Sequence, residues 1–325
     1  MTLNSRMMDL LGRIEEPIVN RFSGRLPREL YEPMAYLLEA GGKRIRPLLL
    51  ALSCKSTGGS IDSCLDAAVA VELLHTFTLV HDDIMDRDVL RRGRPTVHVR
   101  WDEATAILAG DGLVTAAYDS LIRTSHPNAA AVIRRFTDSL TGLCEGQALD
   151  KLFESRPAVT PGEYLDMIEK KTGRLIEASC GIGALLGSGT DEETACLERF
   201  GAGLGRAFQI QDDLLDVAAD VGQLGKPLCS DIVAGKKTFL TVHFASNADE
   251  GMKKKLESFK GRTVWTDRDT TEVRNLFASA GSFDAARRAV AESTDRALEA
   301  MDRIRPSRSR EDLRELALSL VERAS

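Results

Sequence analysis

The chain has 325 residues, 43% of them hydrophobic and 28% charged, with a formal net charge of −6. That balance predicts a folded protein with a sizeable buried core and argues against a disordered or membrane-embedded chain. The acidic total, with both signs mixed along the chain, also argues against a nucleic-acid surface, which needs a clustered basic excess.

From the N-terminus, Met1 to Glu16 intersperses Arg6, Asp9, Arg13 and Glu15 among apolar residues, so no signal-peptide core is expected. No segment approaches the roughly 18 consecutive apolar residues of a membrane span, and a cytoplasmic protein without a transmembrane segment is the expectation. Apolar residues then recur at helical spacing, as in Leu65, Ala68, Val69, Leu73 and Leu74, and strand-like alternation is hard to find. The prediction is an all-α chain, a single large helical bundle around a central cavity with one domain over residues 1–325. Breakers punctuate it at Gly58-Gly59, Arg92 to Pro95, His126-Pro127-Asn128, Arg156-Pro157 to Pro161-Gly162, Gly187 to Gly189 and Arg305-Pro306. Ala178 to Leu186 is small and apolar all round, which suits a helix surrounded by other helices. Residues 220–237 read as a functional loop after a helix ending near Asp216, and beyond Asn247 shorter, more charged helices are expected to cap the bundle. The six cysteines show no C-x-x-C spacing and read as reduced, mostly buried thiols.

The chemistry concentrates in two acid clusters. In His81-Asp82-Asp83-Ile84-Met85-Asp86 the carboxylates are three and four apart, so they crowd one side of a helix end, where like charges repel and oppose the macrodipole. One such cluster is as readily a solvated acidic face. The same spacing recurs in Gln211-Asp212-Asp213-Leu214-Leu215-Asp216, again behind an apolar helix, and the pair points to bound cations. Oxygen-only ligands favour Mg²⁺, with Mn²⁺ as a substitute, completed by substrate phosphates. Cations follow each cluster or precede it: Lys43, Arg44 and Arg46 beside Gly41-Gly42, then Arg91, Arg92 and Arg94, then Lys226, Lys236 and Lys237. Singly each is more often a solvated patch. In this order they describe a polyanion held between metal and Arg or Lys.

These stretches resemble the trans-isoprenyl diphosphate synthases, the polyprenyl synthetase family, and are most similar to its archaeal-type geranylgeranyl diphosphate synthases. The matching segments are GGKRIRP, VELLHTFTLVHDDIMDRDVLRRGRPTVH, AGD at Ala109 to Asp111, GQALD, KTGRLIE, QIQDDLLD and GKPLCSDIVAGKKT, spanning Gly41 to Thr238. The resemblance implies that Asp82, Asp83, Asp86, Asp212 and Asp216 hold the metal ions. It implies that Arg91, Lys171, Lys226 and Lys236 contact an allylic diphosphate, of dimethylallyl, geranyl or farnesyl type. Lys43, Arg46, His75 and Arg92 would hold isopentenyl diphosphate, with Gly42 allowing close backbone approach. Thr172 and Gln209 would face the developing allylic cation, beside Lys171. A homodimer is also implied.

Phe77 lies five residues before Asp82, about 7.5 Å down the same helix. An aromatic there, with small Thr78 beside it, is similar to geranylgeranyl diphosphate synthases, whereas farnesyl diphosphate is the alternative product. A terpene cyclase is disfavoured by the fully acidic second cluster, and a non-catalytic synthase subunit by the completeness of both clusters.

Overall fold

The computed structural model describes residues 3–219 and 228–321. The first three helices are α1 (Ser5–Val19), α2 (Arg28–Glu39) and α3 (Ile45–Ser56). Helix α4 (Ile61–Asp86) opens with a reciprocal cap, Ser60 and Ser63 each bonding the other's backbone N–H, and stops at Arg87, whose φ of 57° lies in the left-handed region. Strand β1 (Leu90–Arg91) pairs with β2 (Arg94–Pro95) and leaves Arg92-Gly93 as a two-residue turn with φ of 53° and 74°. Two positive φ values in succession are what such a hairpin requires.

The chain continues through α5 (Val97–Arg100), α6 (Glu103–Leu121), α7 (Ala129–Ser155) and α8 (Pro161–Ile168). A π-turn at Glu169–Gly173 leads into α9 (Arg174–Leu186), then α10 (Asp191–Ala218) and the short α11 (Ser230–Val233). Helices α12 (Phe239–Asn247), α13 (Glu250–Glu257), α14 (Asp267–Ser279), α15 (Ser282–Ala300) and α16 (Arg308–Val321) complete it. Side chains at the N-cap make the starts sharp: Thr160, Thr190, Thr238 and Thr266 each form a capping box with the residue three further on.

Helix α9 is the centre, as its small apolar sequence predicts. Residues 178–186 are all buried, among α3, α4, α7 and α10. A side chain at Gly183 would stand 2.2 Å from the Leu50 carbonyl oxygen, so α9 and α3 approach almost backbone to backbone. Helix α4 lies against α6 and α3, and α10 runs beside both α9 and α15. Helix α10 also joins the two apolar clusters, giving Leu204 to the larger and Ile210, Leu214 and Val217 to the smaller.

One expectation changes and two are refined. By length and composition α4 could cross a bilayer, although no uninterrupted apolar run of that length exists. Two thirds (67%) of its most apolar window is buried inside the protein, which makes it a core helix. Beyond Asn247 the helices do not merely cap: the 19-residue α15 packs along α10, with its charges on the outward face. Finally, α10 runs two residues past Asp216, and the stretch after it contains α11.

Candidate active site

The last turns of α4 and α10 bring the two acid clusters to one cavity of ≈ 600 Å³, whose wall includes Asp82 and Asp212. Helix rotation divides each cluster. Asp82 and Asp212 face the cavity, while Asp83, Asp213 and Asp216 are buried. Asp83 accepts from Arg91 Nε at 2.7 Å. Asp213 accepts from the Tyr164 hydroxyl (2.5 Å), the Phe239 backbone N–H (2.7 Å) and Gln209 Nε2 (3.0 Å). Burial pushes its carboxyl up to about 7, against those hydrogen bonds. Asp216 accepts from Ser230 Oγ and the Asp231 N–H, holding the start of α11. Asp86 lines neither this cavity nor its neighbour; it accepts at 2.6 Å from Nζ of Lys236, which borders the adjoining pocket. Burial acts to raise the Asp86 carboxyl, but the lysine outweighs it and the pKa is lowered.

Cations line the opposite wall. Lys43, Arg46, Arg91, Arg92 and Lys171 all border the cavity, and a second pocket of ≈ 390 Å³ adjoins it, sharing Lys43, Lys171, Gln209 and Asp212 and adding Lys236. The hairpin aims Arg91 at Asp83 and Arg92 toward Gly42. A side chain at Gly42 would sit 2.9 Å from both terminal nitrogens of Arg92, so this glycine makes room for a guanidinium. Arg46 Nη1 lies 3.1 Å from His75 Nε2. Burial, and then the charges of Arg46 and Arg92, hold the His75 pKa well below its usual value. The ring is therefore neutral, with Nε2 accepting from Arg46. Arg44, grouped with these cations in the sequence, also borders the cavity, but its side chain is buried and held by Glu15 and Glu72. Lys226 lies outside the described residues.

Lys171 and Thr172 stand on the π-turn, a geometry in which successive side chains are re-aimed relative to an α-helix. Two glycines grip it. A side chain at Gly146 of α7 would meet Lys171 N at 2.2 Å, and one at Gly205 of α10 would meet Gly173 Cα at 2.7 Å. Lys171 Nζ donates to Asp150 at 2.6 Å. Thr172 Oγ1 donates to Gln209 Oε1 (2.8 Å), and Gln209 Nε2 donates to Asp213. The chain Thr172, Gln209, Asp213 fixes the amide orientation and leaves oxygen lone pairs available toward the cavity.

The donor set suits a hard divalent cation. Among the described residues no three His, Cys, Asp or Glu side chains form a closed cage, while Asp86 Oδ1 is buried without a hydrogen-bond partner. Carboxylate oxygens on two sides of an open cavity are how Mg²⁺ is held when substrate phosphates and water complete its shell.

Residues 27–277 match the polyprenyl synthetase family. The chain belongs to that family. A geranylgeranyl diphosphate synthase of Methanosarcina mazei is 42% identical over 87% of this chain and 86% of its own. A geranylfarnesyl diphosphate synthase of Natronomonas pharaonis is 38% identical over 96% and 95%. The crystal structure of geranylgeranyl pyrophosphate synthetase from Pyrococcus horikoshii superposes with a TM-score of 0.93, at 40% identity and 98% coverage of both chains.

In this polyprenyl synthetase, Thr78 borders the cavity and is nearly buried. Phe77 does not border it: its ring lies edge-on against His81 at 4.8 Å, and His81 packs on Gly110 of α6. One residue along a helix is a rotation of about 100°, enough to send Phe77 toward the α4/α6 seam. Residues not singled out from the sequence are Glu72 and Gln147 in the cavity wall, Asp150 beneath Lys171, and Tyr164 beneath Asp213. Asp150 belongs to GQALD, a matched motif without an assigned task; Tyr164 gave no signal.

Proposed function

We propose that the chain condenses isopentenyl diphosphate with an allylic diphosphate to give an all-trans, short-chain prenyl diphosphate, geranylgeranyl diphosphate being the main product. The observation that carries this is the meeting of Asp82 and Asp212, one from each acid cluster, with six Lys and Arg residues at one cavity. The relative and the solved structure named for geranylgeranyl diphosphate support the length.

Asp82, Asp86 and Asp212 would hold Mg²⁺, or Mn²⁺, with Asp83 and Asp216 bracing them from behind. When bound, the metal supplies Lewis-acid neutralisation of the diphosphate. Arg91, Lys171, Lys226 and Lys236 bind the same diphosphate, so that the allylic C–O bond breaks with both electrons leaving on oxygen. Thr172 and Gln209 turn oxygen lone pairs toward the cation. Lys43, Arg46, His75 and Arg92 orient isopentenyl diphosphate so that its double bond attacks the allylic carbon. The released diphosphate takes one proton from the resulting cation, which restores the double bond and leaves product and inorganic diphosphate.

The protein works as a homodimer in the cytoplasm. Ile107 and Leu108 of α6, with Val99 ahead of it, leave apolar side chains exposed on one stretch of chain, which a second copy would cover. The test is incubation with isopentenyl diphosphate and dimethylallyl, geranyl or farnesyl diphosphate, with Mg²⁺ and after chelation. Geranylgeranyl diphosphate with metal and no condensation without it is expected; full turnover in chelator would sink the proposal.

A further inference from the structure

Arg44 borders the cavity together with Lys43 and Arg46, yet its side chain is only 1% exposed and its guanidinium is bound within the protein. Each of its nitrogens is engaged. Nε and Nη2 donate to the two carboxylate oxygens of Glu15 at 2.7 and 3.0 Å, Nη1 donates to Glu72 at 2.7 Å, and Nη2 also donates to the Leu38 carbonyl at 2.7 Å. One side chain thereby ties α1, the last turn of α2, the middle of α4 and the first residue before α3. Its backbone is equally committed: φ is 46°, in the left-handed region, and its carbonyl accepts from Leu48 N–H to begin α3.

Lys43 before Arg44 and Arg46 two after it border the same cavity. A left-handed residue between them reverses the direction in which successive side chains leave the backbone, so their spacing depends on Arg44 staying in that conformation. A non-glycine residue holds it only where its surroundings over-determine it. Glu15 and Glu72 do so here. Glu72 also stands one turn before His75 on α4, near the charges of Arg46 and Arg92.

We propose that Arg44, clamped by Glu15 and Glu72, is a positioning residue through which α1 sets the stance of Lys43 and Arg46. The inference rests on assigning that half of the cavity to isopentenyl diphosphate. Steady-state KM values for both substrates, with thermal melts, test it on the full chain. Glu15→Gln should raise KM for isopentenyl diphosphate about fivefold while the allylic KM stays within about twofold, the scale of one weakened hydrogen bond. Arg44→Lys should go further in the same direction, and the double variant should be no worse than Arg44→Lys alone, because both break one arm. Glu15→Asp, which keeps the charge, should recover part of the loss. Equal rises in both KM values together with a lower Tm, or no change at all, would overturn the role. If Arg44→Lys does not fold, the half-exposed Glu15 on α1 carries the test alone. Lys43→Ala separates the two claims: if it leaves KM for isopentenyl diphosphate unmoved, the assignment of that half is wrong. If it responds while Glu15→Gln is silent, only the positioning role fails.

Discussion

Adjacent aspartates in the same motif serve opposite ends here. Asp82→Ala or Asp212→Ala removes a carboxylate that faces the cavity, and several kcal/mol of transition-state stabilisation correspond to a rate loss on the order of 10³-fold, measurable as kcat. Arg92→Ala should act on substrate binding, raising KM for isopentenyl diphosphate far more than for the allylic partner in initial-rate assays. On the proposed function, product length would be set at neighbouring residues of α4. Thr78→Phe fills the cavity wall and should shift the product distribution toward farnesyl diphosphate, whereas Phe77→Ala opens the seam beside α6 and should lengthen it, both read by chain-length analysis. The acid clusters and the Lys43 to Arg46 segment were legible because charge is costly to gather without a purpose, and the Lys171-Thr172 pair only through the family likeness of KTGRLIE. Which member of Asp82-Asp83 faces inward was not, since that depends on helix rotation and on a partner, Arg91, supplied by the hairpin. Glu72 stood in the matched VELLH segment, yet nothing local says that Arg44 comes to it from 28 residues away.

Whole elements carry two further expectations. The π-turn can keep its geometry only while α7 and α10 present bare backbone to it. Gly146→Ala places a carbon 2.2 Å from Lys171 N, and backbone cannot swing aside as a side chain can. A shift of Lys171 and Thr172 by about 1 Å should cost up to roughly 100-fold in kcat, with circular dichroism reporting that the helices persist. At the start of α10, Arg305 donates twice to Glu193, at 2.6 and 2.7 Å, and together with the Thr190 cap draws its carboxyl down to about 2 from 4.5. Because the folded value is the lower one, this contribution is present above pH 4.5 and fades as pH falls toward 2. Glu193→Gln should therefore lower stability at neutral pH by about 1–2 kcal/mol, discounted because Arg305 is half exposed, with the gap to the parent closing in acid melts. Helix starts such as Thr190 and Thr160 follow from short-range capping chemistry, which a sequence displays. The π-turn does not, because its cause lies in glycines on two other helices.

For the molecule as a whole, the expected homodimer predicts a light-scattering mass of twice 35.5 kDa, and Leu108→Glu on the exposed face of α6 should shift it toward the monomer. The all-helical architecture was legible because periodicity is a property of every segment. The share of α15 in the bundle was hidden by its charged outward face, since a single buried stripe suffices to pack along α10. The contact between Lys236 and Asp86 joins residues 150 positions apart, beside the pocket that adjoins the cavity. A chain that ends before Lys236 cannot form it. On the proposed function the pair would act as an interlock on hazardous chemistry: the lysine and the aspartate come together only once the fold is nearly finished, when its walls can keep water from quenching a carbocation.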